Sequence, residues 1–461
     1  VEPDGDAVKD VVIVGGGLAG LAAAHALSAQ GLSVQVLERR PYIGGRAYSY
    51  EHPALHEVVD CQHVMLGCCT NLVGICNAVG LGDKIHWYDE LTFLEPGGRA
   101  SRIGPSGLPA PGHNTLSFLQ APMLGVADKV AIARGLLEFF RGYPQDDTES
   151  FSNWLKRTGQ TERAIKHFWA PVIIGALNDR FENCSLKYAG QVFHESFLKS
   201  SQGGRLGIPM LPLSEFYGEI ARAAEQQGTE FVLRASVENI SGDATSGFTL
   251  HTTAGTFQGK QVIVALPFEQ SVKLLPNLAL SITQFVHAPI TTVHLWWEKE
   301  ITDRHHAVLL DTTIEWIFNK TRIRGNDPAK GSYTELVISA SHRQLKQDRE
   351  EIIRNAINEL ALFFPQVRTT NLLKTGVLKE ARATFSVLPG LDRHRPSQAE
   401  SGHKGIFLAG DWTKTGWPST MEGAIRSGLL AATSITGEPA LAPELPADGL
   451  MPWIVQKIER F

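Results

Sequence analysis

Three glycines and an acid near the start of the chain have the types and spacing to hold phosphate and ribose. Gly15, Gly17 and Gly20 stand in the order G-x-G-x-x-G, with Leu18 and Ala19 between the last two. Gly15 permits a tight turn, Gly17 leaves the backbone open to a pyrophosphate, and Gly20 lets a helix pack closely on a sheet. Glu38 is spaced to accept hydrogen bonds from ribose hydroxyls. With 44 glycines in 461 residues the bare spacing is weak; its flanks strengthen it. Val11-Val12-Ile13-Val14 reads as a buried strand, Leu21 to Gln30 as an alanine-rich helix stopped by Gly31, and Ser33 to Glu38 as a second strand. The helix would turn its positive end to the phosphates. Together these features describe a dinucleotide site.

Past the acid, Glu38-Arg39-Arg40-Pro41-Tyr42-Ile43-Gly44-Gly45-Arg46 brings a second glycine pair and an arginine, whose guanidinium suits phosphate oxygens. Near the other end, Gly405 to Trp412 reads as a buried strand carrying Gly410-Asp411, and Thr420 to Gly428 opens a second alanine-rich helix. The E-R-x-x-x-x-G-G-R run resembles an element of the amine-oxidase/phytoene-desaturase flavoproteins, where Gly45 and Arg46 would continue the pyrophosphate cradle. That resemblance implies FAD. It assigns Asp411 to the ribityl chain, and the helix start around Met421 and Ala424 to the pyrimidine end of the isoalloxazine. It also assigns the Val237 backbone to the adenine. Some relatives link flavin to a late cysteine, but none follows Cys184, so the FAD is expected to be non-covalent.

The expected fold class is α/β, since 461 residues exceed what one core usually supports. A Rossmann-type FAD-binding domain takes residues 1–85, 205–275 and 395–440, with 229–258 as a hairpin set. A mixed α+β substrate domain takes 86–204 and 276–394, and 441–461 form a tail.

Amine oxidases of this fold place a lysine near flavin N5 on the strand matching Ile290–Trp297. This chain has none from Leu274 through Glu298, and Thr420 stands where they carry an aromatic residue. The carotenoid desaturases carry a Pro-Gly-containing segment that Gly416-Trp417-Pro418-Ser419 does not reproduce. Asp60-Cys61-Gln62-His63-Val64-Met65-Leu66-Gly67 puts Gln-His where the usual segment has Gly-Gly. That pattern is similar to the hydroxysqualene dehydroxylases. Agreement extends through Trp169-Ala170-Pro171, Ala176-Leu177-Asn178, Val293-His294-Leu295-Trp296, Trp316-Ile317-Phe318 and Arg382-Ala383-Thr384-Phe385. Cys61 and Met421 are small departures. The resemblance implies reductive removal of an allylic hydroxyl: hydroxysqualene and reduced FAD give squalene, water and FAD. Relatives place the Asp60–Gly67 segment beside the isoalloxazine. His63 is then the candidate general acid, Gln62 the residue orienting the hydroxyl, and Asp60 structural.

Net charge of −5 and the lack of a Lys/Arg run give no footprint for nucleic acid. Five cysteines without a C-x-x-C pair argue against zinc or iron–sulfur chemistry and for reduced thiols, so no metal is expected. No nicotinamide site or second redox centre is visible, so reduction relies on an unidentified electron donor. No apolar run reaches the length of a membrane span. The location expected is cytoplasmic, with the inner face of the membrane as the route for a water-insoluble substrate. Two stretches suit such a surface. One is the tail Leu450–Phe461. The other is the apolar segment Leu116–Phe140, where Val130, Ala133, Leu137 and Phe140 share one helical face and Ile132, Leu136 and Phe139 another. Apolar coverage that wide also suits a core, which is the commoner use.

Overall fold

The computed structural model describes residues 8–278 and 282–456. Its first sheet forms around the β-branched run near the start of the chain. Lys9–Val14 is flanked in parallel by Val34–Glu38 on one side and by the end of Gly255–Val264 on the other. Glu230–Leu233 and Ile406–Leu408 extend the parallel set, so the sheet draws on three separated parts of the chain. Val11, Val12 and Ile13 have no exposed surface, as suits strands covered on both faces. Val237–Asp243, Gly247–Thr252 and Gly255–Val264 run antiparallel, making the hairpins. The carboxy-terminal strand is shorter than Gly405–Trp412: only Ile406–Leu408 pairs. Gly410, at φ +141°, turns the chain away beyond it.

The first helix spans Leu18–Ser28, three residues earlier than Leu21. Gly17, in extended conformation, is its cap, so the helix begins inside the glycine motif. It crosses the last helix, Met421–Thr436, backbone against backbone. A Cβ at Gly428 would lie 2.1 Å from the Ala19 carbonyl oxygen. The small residues of both helices are therefore a packing requirement.

The second sheet has the order Leu372–Phe385, His287–Trp297, Ser332–Ile338, Trp316–Asn319, His306–Leu309, Leu91–Leu94 and Ala100–Ile103. Helices from Thr115 to Leu198 enclose a buried aromatic cluster of Phe139, Phe151, Trp154, Trp169 and Phe193. The segment 116–140 is two helices, Thr115–Gln120 and Val126–Phe139. Pro122 and Gly125 interrupt the helical run, and the Asp128 carboxylate accepts the Gly125 N–H at 2.8 Å to start the second helix. Ile132 and Phe139 are buried, whereas Val130 and Leu137 are exposed. The two faces thus divide between core and surface.

Candidate active site

The glycine turn is built as its residue types require. A Cβ at Gly15 would meet the Ala265 carbonyl oxygen at 2.5 Å, and one at Gly20 the Gly15 carbonyl oxygen at 2.0 Å. At Gly17 the nearest atom to a built Cβ is the Gly45 Cα, 3.8 Å away. The two glycine motifs also touch directly: Gly44 N–H donates to the Gly16 carbonyl at 2.8 Å. A shallow cradle at Gly17, walled by Gly44 and Gly45 and capped by a helix start, fits a dinucleotide pyrophosphate.

Glu38 is buried and ties the cradle together. Its Oε2 accepts the Gly16 N–H and its Oε1 the Arg40 N–H, both at 2.8 Å. Each oxygen keeps a lone pair for a ribose hydroxyl. Arg39 is exposed, while Arg40 folds back to donate to the Gly45 carbonyl at 3.0 Å. The sheet register shifts between Val237 and Asn239, near where Ala235 N–H donates to the Glu38 carbonyl.

Arg46 brings the two ends of the chain together. Its Nη2 lies 2.6 Å from the Asp411 carboxylate, whose other oxygen accepts from Ser419 at 2.5 Å. The Thr420 hydroxyl caps the last helix by accepting the Gly423 N–H, so Met421 begins the helix and Ala424 lies in its first turn. Arg395 was invisible to motif reasoning, because Asp-Arg-His-Arg-Pro carries no pattern. It is buried and donates to the carbonyls of Asp411, Thr413 and Trp417. It thereby holds the loop from Gly410 to the last helix in shape.

The segment Asp60–Gly67 is pinned at both ends. Asp60 is buried, accepting from Ser49 at 2.8 Å and from Lys320 at 3.0 Å. Met65–Leu66 pairs with Leu206–Gly207. Burial alone would raise the Asp60 carboxyl, but Lys320 and Arg324 hold it well below its ordinary range. His63 Nδ1 lies 2.6 Å from the Cys61 carbonyl oxygen, an acceptor, so Nδ1 carries the hydrogen. Nε2 is left to face other chemistry. Burial pushes the imidazole below its ordinary value, and the Cys61 bond partly restores it. Gln62 turns its amide inward: Nε2 donates to the His63 carbonyl at 2.7 Å and Oε1 accepts from Lys320 at 2.6 Å. One N–H remains for a substrate hydroxyl.

Strand register supplies the wall behind this segment. His306, Phe318, Glu335 and His294 are successive cross-strand partners, hence one row on one face of the second sheet. Val308, Trp316, Val337 and Thr292 form the next row. Val64, Leu66, Ile290 and Trp316 pack around Phe318 and Val337, an apolar patch beside the buried Glu335 and His294 of the same face. His306 is buried among Tyr88, Trp316 and Phe318, and neither ring nitrogen has a hydrogen-bond partner among the described residues. Burial pushes it down to about 4.

That burial has a measurable consequence. A histidine depressed on folding favours the native state above its unfolded value of about 6.5 and withdraws that contribution as pH falls toward about 4. Between pH 7 and pH 5, wild type should therefore lose about 2 kcal/mol relative to His306→Phe. Urea unfolding of both proteins at the two pH values reads this directly. Parallel pH dependences would show that His306 is not buried neutral.

Among the described residues no group of His, Cys, Asp and Glu is arranged to hold a metal ion, and all five cysteines are free thiols.

The fold and the double-ended cradle define an FAD-dependent oxidoreductase. The chain belongs to the flavin containing amine oxidoreductase family, whose profile matches residues 18–436. Among curated proteins it is 26% identical to the zeta-carotene desaturase of Synechocystis sp., across 93% of this chain and 98% of that one. It is also 26% identical to the 15-cis-phytoene desaturase of Capsicum annuum, across 92% and 77%. Among solved structures it resembles putrescine oxidase with putrescine bound, with TM-score 0.70 and 17% identity over 94% of this chain and 100% of that one. Cyclohexylamine oxidase from Brevibacterium oxydans superposes at TM-score 0.67, with 18% identity over 93% and 99%. At those identities the structures establish the fold alone.

Proposed function

We propose that this enzyme is a hydroxysqualene dehydroxylase, which removes an allylic hydroxyl reductively to give squalene. One observation carries the reading: Gln62-His63 stands on a pinned segment with the imidazole Nε2 uncommitted, next to Val64 and Leu66 of an apolar cluster. Expelling hydroxide from an alcohol is difficult; expelling water needs one proton. His63 with both nitrogens protonated keeps Nδ1–H on the Cys61 carbonyl and offers Nε2–H to the leaving oxygen. The free Gln62 N–H would orient that oxygen. Val64, Leu66, Ile290 and Trp316 keep the surroundings dry for a hydrocarbon. Bound non-covalently and reduced by an external electron donor, FAD would supply the hydride that replaces the hydroxyl. Glu38, Arg46, Asp411 and the two helix starts are the groups that would hold it.

Anaerobic mixing of dithionite-reduced enzyme with hydroxysqualene tests the reaction, with squalene formed in step with FAD oxidation as the expected result. The carotene desaturase relatives support a second reading, in which oxidised enzyme dehydrogenates a polyprenoid. Bleaching of the oxidised flavin by phytoene or zeta-carotene, with hydroxysqualene inert, would favour it. Acid precipitation should leave all flavin in the supernatant in either case; flavin retained on the pellet would reveal a covalent link.

The substrate's insolubility calls for delivery from a bilayer, and the surface of the helices Thr115–Gln120 and Val126–Phe139 suits one. Val126, Val130 and Leu137 are 81%, 55% and 61% exposed, with Leu116 and Leu119 beside them on the preceding helix. Lys129, Arg134 and Arg141 flank the apolar stripe with positive charge. The tail packs on the loop that precedes these helices, where Leu450 N–H donates to the Ala110 carbonyl at 2.8 Å; residues 457–461 lie outside the described residues. Among the described residues no helix is long and apolar enough to cross a membrane. Attachment is therefore proposed to be peripheral, and Val130→Asp with Leu137→Asp should abolish flotation with anionic liposomes. Equal flotation of wild type and variant would remove this face from the account.

A further inference from the structure

Behind the Asp60–Gly67 segment, the second sheet buries an acid and a base that no motif announces. Lys320 begins the short helix Lys320–Ile323 directly after the strand Trp316–Asn319, and the Asn319 side chain caps that helix by accepting the Arg322 N–H. Lys320 is 4% exposed. Its Nζ meets three oxygens: Gln62 Oε1 at 2.6 Å, Asp60 Oδ1 at 3.0 Å and Glu335 Oε2 at 3.2 Å. The first two are hydrogen bonds, and Glu335 Oε2 completes the set as an ion-pair partner. Glu335 is fully buried, and its Oε1 accepts the Gln62 backbone N–H at 2.6 Å. Gln62 is therefore gripped twice, by its side chain from Lys320 and by its backbone from Glu335.

The grip has a direction. An amide can be turned either way, and an ammonium, which only donates, pairs only with its oxygen. Lys320 therefore forces Gln62 Oε1 inward and sends Nε2 to the His63 carbonyl. His63 is in turn held by its own carbonyl and by Nδ1 on Cys61. Buried ions cost several kcal/mol each to desolvate, and apolar residues of similar volume often stabilise a fold as well or better. Stability alone is thus a weak reason to keep these four ionisable groups, Asp60, Glu335, Lys320 and Arg324, in the interior.

We propose that Lys320 and Glu335 are positioning residues that fix the orientation of the Gln62-His63 pair and so aim His63 Nε2 at the reacting oxygen. This rests on the dehydroxylase reading of His63 and extends it to the groups that make His63 effective. Neither residue touches the substrate; both act through Gln62.

Lys320→Met is the direct test, because Asp60 keeps Ser49 and Arg324 as partners. Burial pushes Glu335 up to about 8 even beside Lys320, so without that cation it stays protonated and leaves no buried negative charge. Lys320→Met with Glu335→Gln is the second variant, in which the charge is removed in balance and Gln62 keeps an acceptor. For each, FAD content, melting temperature and single-turnover oxidation of the reduced enzyme by hydroxysqualene are measured, alone and combined with His63→Asn. Full flavin content is expected, with the saturated rate slowed roughly 10-fold or more and half-saturation within about twofold of wild type. On the His63→Asn background the same changes should slow turnover no further, because residues acting through one group are not additive. A wild-type rate in either folded variant overturns the proposal while leaving His63 as the acid. An undiminished further loss on the His63→Asn background overturns it too, since Lys320 would then act independently. If His63→Asn alone keeps the wild-type rate, the dehydroxylase reading of His63 falls first.

Discussion

Gly17→Val is expected to yield a folded but colourless protein. Gly17 is extended at φ −79° and ψ 179°, a conformation that valine adopts readily. The nearest atom to a new Cβ is 3.8 Å away, so the polypeptide itself has room for it. The added side chain instead occupies the approach of the pyrophosphate. Flavin content should fall by more than about 10-fold while the far-ultraviolet circular dichroism stays native. Gly20→Val is the contrast, because its Cβ would sit 2.0 Å from the Gly15 carbonyl oxygen and force helix and turn apart. That variant should lose soluble protein rather than flavin alone. Full FAD occupancy in folded Gly17→Val would place the pyrophosphate elsewhere.

His63→Asn should retain FAD and slow single turnover by roughly 10²-fold or more. Asparagine can still bond the Cys61 carbonyl through its amide, so the segment stays in place, but it cannot release a proton near neutrality. In wild type the acid is the imidazolium, and burial pushes its value below about 6.5. Turnover should therefore rise as pH falls from 8 toward 6 and level off below the shifted value. The variant should lose that slope. Stopped-flow oxidation of reduced enzyme across this range measures both. A variant with full flavin and an unchanged, equally pH-dependent rate would end the acid assignment.

How far the site could be read from the chain varied with sequence distance. The cradle was legible because its parts lie within one strand–turn–helix–strand unit, and each glycine answers a local backbone demand. The last helix was legible for a similar reason: a glycine-acid turn followed by small residues is a local signature. Its true start, capped by Thr420, needed no tertiary information. The strand before it was overestimated because apolar residues continue past Leu408 while the pairing does not. Likewise, Leu116–Phe140 showed two apolar faces, yet hydrophobicity does not say which one a neighbour covers. Packing against Trp154 and Phe193 decided it for Phe139, whereas among the described residues Val130 and Leu137 stay mostly exposed.

By itself the sequence determined the glycine turn with its flanking strands and helix, the cofactor class and the Gln62-His63 pair, because those are properties of residue types at short spacing. Only the tertiary structure decided what those residues meet. Arg46 finds Asp411 across 365 positions, and Asp60 finds Lys320 across 260. Lys320, Glu335 and Arg395 lie in runs with no periodicity or motif, where a charged side chain normally signals a solvated surface. Each is buried here because a distant segment brings the opposite charge, or a ring of carbonyls, to it. Such pairing depends on how strands register across a sheet, a fact recorded in the fold and not in the neighbourhood of any one residue.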